Sequence, residues 1–301
     1  VNKLFYDNEA RLRSGWRALF FLFTYILVSG VFIAIFVMLR GQGDQEKPAD
    51  LLSLTVPFTI STAIAVILGW GYGRWFEGIG MAALGATLSA HSLKNLAIGL
   101  GLGCLAIVFA VLIAVATGSM TLALNRGSAG SAIGYNLGTT LVVFVTGAAS
   151  EETLFRGYPL QTFVRSKATV VGVVLTSLLF AFAHNVNPSV SPLALANTVI
   201  AGIWFAVAYL KTRDLWFPFG IHLAWNWLQG PIFGINVSGI GDFSPDPLMR
   251  ATDAGPAWLT GGAYGIEGGV ACTFALVLSL LLIYFLPMSA TEHTENTEIR
   301  N

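Results

Sequence analysis

Stretches of about 20 uncharged, mostly apolar residues recur along almost the whole chain, and that is the length a helix needs to cross the hydrocarbon core of a bilayer. Gly127 to Ser150, 24 residues without one charged side chain, is such a stretch. Of the 301 residues 55% are hydrophobic and 11% charged, where ordinary soluble domains carry about a quarter charged residues. The pattern implies an integral, multi-pass membrane protein with no room for a large soluble domain. Apolar length with polar breaks predicts helices at about 18–39, 51–75, 94–117, 135–157, 168–184, 193–210, 215–230 and 266–287. Runs such as VACTFALVLSLLLIYFL show none of the alternation of a barrel strand. The expected fold is therefore all-α, a polytopic transmembrane helical bundle of about eight spans forming one transmembrane domain over residues 1–301. The run Ala18 to Leu39 is too long for a signal-peptide core and reads as a retained first helix.

Lys and Arg concentrate on the cytoplasmic side of membrane proteins, so their distribution over alternate loops gives an orientation. With the N-terminus inside, the inside set is Lys3, Arg11, Arg13, Arg17, Arg74, Lys94, Arg156, Arg165, Lys167, Lys211, Arg213 and Arg300; the outside set is Arg40, Lys47, Arg126 and Arg250. Twelve against four predicts N-in and C-in, which requires an even number of spans. A formal net charge of zero gives no case for nucleic-acid binding. Cys104 and Cys272 both fall in apolar segments and read as small packed side chains. The Gly- and Pro-rich connection from Pro231 to Gly265 reads as an outer loop.

An ionisable group inside a bilayer costs a few kcal/mol or more and is by default a candidate functional site. Three segments carry polar groups of this kind. Glu151, Glu152 and Arg156 close the fourth; Glu152 and Arg156 are i and i+4, the favourable order for a helical ion pair, while Glu151 is left about 100° round the helix. Burial without a partner raises a carboxyl group's affinity for a proton, which is how a general base is tuned toward neutral pH. In the fifth, Phe180 and His184 share a face, with Asn185 beside them; in the seventh, His222 and Asn226 do. The other two histidines, His91 and His293, lie in polar flanks. Two imidazoles and a carboxylate can hold a divalent metal with an open position for water, or can polarise water directly with the carboxylate taking its proton. Asn226 offers an amide N–H to an oxyanion. The zincin motif HExxH is absent. Glu267, at the outer start of the last helix, is a further polar candidate whose bland reading is a helix end.

The ordered set EETLFR (Glu151, Glu152, Arg156), FAFAH (Phe180, His184) and HLAWN (His222, Asn226) resembles the signature of the CAAX protease and bacteriocin-processing membrane proteins, which include the type-2 CAAX prenyl endopeptidases. The likeness covers a core of about 145–230; the flanking helices resemble the family in hydrophobic character only. It implies a membrane endopeptidase acting on a peptide, a protein or a lipid-modified substrate, in a bacterial-type cytoplasmic membrane. By position, Glu151 would be the general base, with His184, His222 and Asn226 as further catalytic residues placing water and oxyanion; Glu152, Arg156 and Phe180 would be structural support. The motifs leave open a zinc or other divalent ion held by His184, His222 and Glu151, and equally a metal-free glutamate mechanism. A non-enzymatic scaffold or immunity protein, and a proton-coupled transporter, are the competing readings; no inverted repeat is visible to favour the transporter. One difficulty is depth: in a straight, perpendicular bundle His184 would sit about 25 Å along its helix and His222 about 12 Å along its own. Helix tilt, a raised start or a sunken break NVNPSVSP is needed, around a water-filled cavity expected to open toward the cytoplasm.

Overall fold

In the computed structural model, residues 4–7, 11–40, 50–241 and 243–287 are described. Lys3, Lys47, His293 and Arg300 lie outside them. The long apolar segments form helices α1 (Ser14–Arg40), α2 (Leu51–Tyr72), α3 (Ala90–Ala116), α4 (Gly130–Phe155) and α7 (Pro192–Thr212). Between them lie shorter helices, α5 (Tyr158–Arg165), α6 (Thr169–Ala183), α8 (Trp216–Trp227) and α9 (Ala257–Thr260), and the chain ends its described course in α10 (Val270–Phe285). Each of the eight expected segments overlaps a helix. Five stretches are long and apolar enough to cross a membrane, Ser14–Arg40, Leu51–Glu77, Ala90–Ala116, Gly130–Arg165 and Pro192–Thr212; Thr169–Ala183 and Val270–Phe285 are apolar but shorter. The protein is a helical membrane bundle whose elements differ in reach.

The helices close a ring in the order α1, α2, α4, α8, α3, α10, α7, α6, α5 and back to α1. The seam between α3 and α8 has a direct cause in sequence. Gly99 and Gly103, four apart on α3, and Gly220 on α8 let the backbones meet: a Cβ would come 2.3 Å from the Phe217 carbonyl oxygen, 2.4 Å from that of Ile221 and 2.6 Å from that of Leu96. Small residues at this spacing are the usual way for membrane helices to approach closely, since lipid supplies no hydrophobic drive between them. His222 follows Ile221, so this seam sets the position of a candidate site residue.

At one end of the bundle Glu77 joins three elements. Its carboxylate pairs with Arg17 of α1 at 3.0 Å and with Arg165 of α5, and accepts from Thr162 Oγ1 at 2.6 Å. Arg17 also donates to Ser166 Oγ at 2.9 Å, and Leu215 N–H, two residues after Arg213, donates to the Gly85 carbonyl. At the other end, Arg250 donates to Asn125 Oδ1 at 2.9 Å beside a two-stranded antiparallel sheet, β1 (Met120–Leu124) with β2 (Met249–Asp253), in register Met120 with Asp253 to Leu124 with Met249. The expected outer loop thus carries a strand, helix α9 and a 3-10 turn at Gly262–Tyr264.

Helix α6 stops short of the length of α3. At 1.5 Å per residue α3 runs about 40 Å and α6 only about 22 Å. The irregular break after α6 is packed under the loop, where Asn187 Nδ2 donates to the Ser238 carbonyl at 3.1 Å. Gly239, at φ +83°, lies so near that a Cβ would come 2.0 Å from the Pro188 carbonyl oxygen. The rest of the break is largely exposed, Val186 at 87%.

Candidate active site

The ladder of α4 ends where Gly157 and Pro159 interrupt it, with the Thr153 carbonyl oxygen 2.1 Å from any Cβ at Gly157. Glu152 and Arg156 therefore occupy the last turns of α4, deep in the protein at 1% and 0% exposure. Arg156 Nη1 donates to Glu152 Oε1 at 3.1 Å, and its Nη2 donates to the Gly202 carbonyl at 3.0 Å. That second contact needs α7 hard against α6, which Gly202 permits: a Cβ there would meet Ser177 Cα at 2.8 Å. The guanidinium also lies 4.6 Å from the Phe180 ring centroid and 4.9 Å from that of Phe205. A buried cation is held by a carboxylate, a carbonyl and two ring faces.

Glu152 does more than the i, i+4 spacing indicated. Its Oε1 also lies 2.9 Å from His222 Nδ1. A carboxylate only accepts, so the imidazole carries its hydrogen on Nδ1 and turns Nε2 away. That nitrogen lies 3.7 Å from Glu151 Oε2, beyond direct hydrogen-bond length. Phe205 stacks on the His222 ring, 4.6 Å between centroids and 19° between planes, fixing its plane. His184 Nδ1 donates to the Phe180 carbonyl at 2.8 Å, again leaving Nε2 outward. The Phe180 ring stands 6.3 Å from that of His222, so the two histidine helices meet here.

Glu151, His184, His222 and Asn226 all line one cavity of about 390 Å³. Its wall also includes Tyr25 and Ser61 from α1 and α2, Trp204 from α7, Cys272 from α10, and Val237, Ser238, Ile240 and Phe243 of the loop. The lining thus reaches the end of the bundle with the β-sheet, beyond the three helices expected to enclose it. On the loop side Glu267 Oε2 accepts from Ser238 N–H at 2.6 Å and Ser238 Oγ at 3.0 Å. Burial, together with the nearby Glu267 carboxylate, pushes the Tyr264 phenol up to about 12.

The residues expected as metal ligands, His184, His222 and Glu151, line the same cavity. Among the described residues no three His, Cys, Asp or Glu side chains are grouped so as to hold an ion. In both histidines Nδ1 is committed to Glu152 or Phe180 and Nε2 is left toward the cavity, the tautomer that serves a metal ligand and a water-binding imidazole alike. No step is derived through a metal.

Residues 133–228 match the family described as type II CAAX prenyl endopeptidase Rce1-like. This segment is Rce1-like. The Rce1-like segment contains all three motifs, from Glu151 to Asn226. A 24.3 kDa protein from Escherichia coli, described only as uncharacterized, is 35% identical to the chain over 99 residues, 32% of this chain. The chain spans less than half of that relative, 44% of its length. No solved structure matches. Within the Rce1-like segment the motifs do not point to Gly202, Trp204 or Phe205, and outside it nothing local marks Ser238. The run GIWF carries no charge, so only the packing of α7 on α6 and α8 reveals what it touches.

Proposed function

We propose that the protein is a membrane-embedded endopeptidase that hydrolyses a peptide bond in a membrane-associated or lipid-modified peptide or protein, with water activated by Glu151. The observation that carries the reading is the convergence of Glu151, His184, His222 and Asn226, from three separate helices, on one cavity inside a membrane bundle. The Rce1-like segment supports the reaction class. The end bearing Arg17, Arg165 and Arg213 is assigned to the cytoplasmic face on the distribution of Lys and Arg.

In this mechanism a water hydrogen-bonds both Glu151 Oε2 and His222 Nε2, whose 3.7 Å separation suits a shared third partner. Glu151 takes one proton as the water oxygen attacks the carbonyl carbon. The oxyanion is met by the Asn226 amide N–H, while the outward Nε2 of His184, an acceptor in this tautomer, helps to orient the water. The C–N bond breaks, the amine leaves with the proton from Glu151, and the acyl half departs as a carboxylic acid. Glu152 keeps the His222 proton on Nδ1, and Arg156 holds Glu152 in place. The supporting groups thus sit beneath the reacting ones.

The test is cleavage of a mass-resolved peptide library by the full chain purified in detergent. Glu151→Gln is expected to lose about 10²–10⁴-fold in rate, the range for removal of a general base, with the melting temperature little changed and with no response to chelator in the wild type. Cleavage that survives Glu151→Gln at the wild-type rate overturns the assignment; loss of activity with chelator, restored by zinc, overturns the metal-free form.

A further inference from the structure

The cavity has a second carboxylate that the proposed chemistry does not use. Glu267 lines it from the loop side, and Glu151 lines it from α4. Among the described residues no Lys or Arg lines it, and no Lys, Arg or His pairs with Glu267. Glu151 has His222 3.7 Å away, whereas Glu267 faces the cavity with no charged partner among the described residues, where a cation would be favoured.

The backbone is shaped to hold this carboxylate still. Both donors of Ser238 converge on Glu267 Oε2, and Ser238 adopts a left-handed φ of +50°, which costs a non-glycine residue. Asn197 Nδ2 donates to the Glu267 carbonyl at 2.8 Å and to that of Gly269 at 2.9 Å, tying the start of α10 to α7. A second, independent feature points to a bound peptide. Trp204 lines the cavity at 1% exposure, and its indole N–H is buried with no acceptor. A buried unpaired donor is costly, and a peptide carbonyl would satisfy it. The remaining wall is largely aromatic and aliphatic, including Phe144 and Phe243, and suits the methylene stem of a long side chain.

We infer that Glu267 is a specificity residue that receives a basic side chain, Lys or Arg, of the peptide whose backbone is cleaved at Glu151. The inference rests on the peptidase reading for its substrate and adds the charge that substrate carries. A charged donor on a fixed carboxylate is worth about tenfold or more in discrimination against a neutral side chain.

The experiment uses the full chain in detergent and matched fluorescent dodecapeptides that differ only in Lys, Gln or Glu at each position in turn. Wild type is expected to cleave a Lys peptide with a kcat/KM about tenfold above its Gln counterpart, carried mainly by KM. Glu267→Gln, which keeps an acceptor for Ser238, is expected to bring that ratio close to one, and Glu267→Lys to turn the preference toward Glu peptides. The wild-type comparison requires no variant to fold. Cleavage without Lys preference, or a preference untouched by Glu267→Gln, overturns the subsite and leaves the peptidase standing. Anisotropy with the same peptides on the Glu151→Gln variant separates the two readings. Lys-selective binding that Glu267→Gln abolishes, with no cleavage of any peptide by wild type, supports the subsite and removes the peptidase; equal binding of Lys and Gln peptides, or no binding with no cleavage, overturns the subsite.

Discussion

Glu152→Gln tests the most buried electrostatics of the molecule. The substitution conserves shape and removes one negative charge from a group that takes Arg156 Nη1 at 3.1 Å and His222 Nδ1 at 2.9 Å. Losing one partner of a buried ion pair costs about 3–5 kcal/mol, because the other charge stays behind uncompensated. Arg156 would keep the Gly202 carbonyl and the faces of Phe180 and Phe205, so the lower part of that range is expected. At about 2 °C per kcal/mol for a chain of this size, ~3 kcal/mol lowers the melting temperature by ~6 °C. Intrinsic fluorescence of the eight tryptophans in detergent follows the melt. Arg156→Met should be comparably destabilising, yet Glu152→Gln with Arg156→Met should cost less than the sum, since neither charge is then stranded. A Glu152→Gln melt within ~1 °C of wild type, or strict additivity in the double variant, would refute the view that Glu152 and Arg156 are ionised partners.

Gly103→Val forces a side chain against the Ile221 carbonyl and Ala224 Cβ, 2.4 Å and 2.9 Å from its Cβ. It is expected to cost about 1–3 kcal/mol of stability and to lower peptide cleavage by about 10²-fold through displacement of α8, which cleavage and melting assays on the same sample resolve. Glu77→Gln strands Arg17 and Arg165 and is expected to cost about 3–5 kcal/mol, read as a lower melting temperature; an unchanged melt would mean that the clasp is not electrostatic.

The helices were legible because the membrane imposes a simple rule on them. An uncharged run such as Gly127 to Ser150 has few alternatives in lipid, and its helix α4 appears within a few residues of its predicted bounds. The pairing of Glu152 with Arg156, one turn apart, is local in the same sense. Contacts fixed by distant segments were not legible. The bond from Glu152 to His222 spans 70 residues, and the clasp of Glu77 on Arg165 spans 88. Periodicity indicates which residues share a face of one helix, while which faces meet depends on glycines such as Gly103 and Gly202 that carry no chemical label. The sheet pairing Met120 with Asp253 escaped for another reason: MTLAL is too short to distinguish from the end of an apolar helix.

The same physical division explains why the polar groups occupy different layers. Arg156 and Glu152 are wholly enclosed and exchange their charge with each other, so they can set geometry but have no access to a substrate. Glu151 precedes them by one residue, and the helix rotates it into the cavity with a carboxylate oxygen that has no protein partner. A single step along α4 therefore separates a carboxylate fixed by a cation from one available for a proton. The arrangement requires both residues: without Glu152 the His222 imidazole has no fixed tautomer, and without Glu151 the outward Nε2 faces a cavity with no base beside it. On the proposed mechanism, the adjacent acidic residues of this otherwise uncharged helix meet opposite demands, Glu152 for rigidity and Glu151 for reactivity.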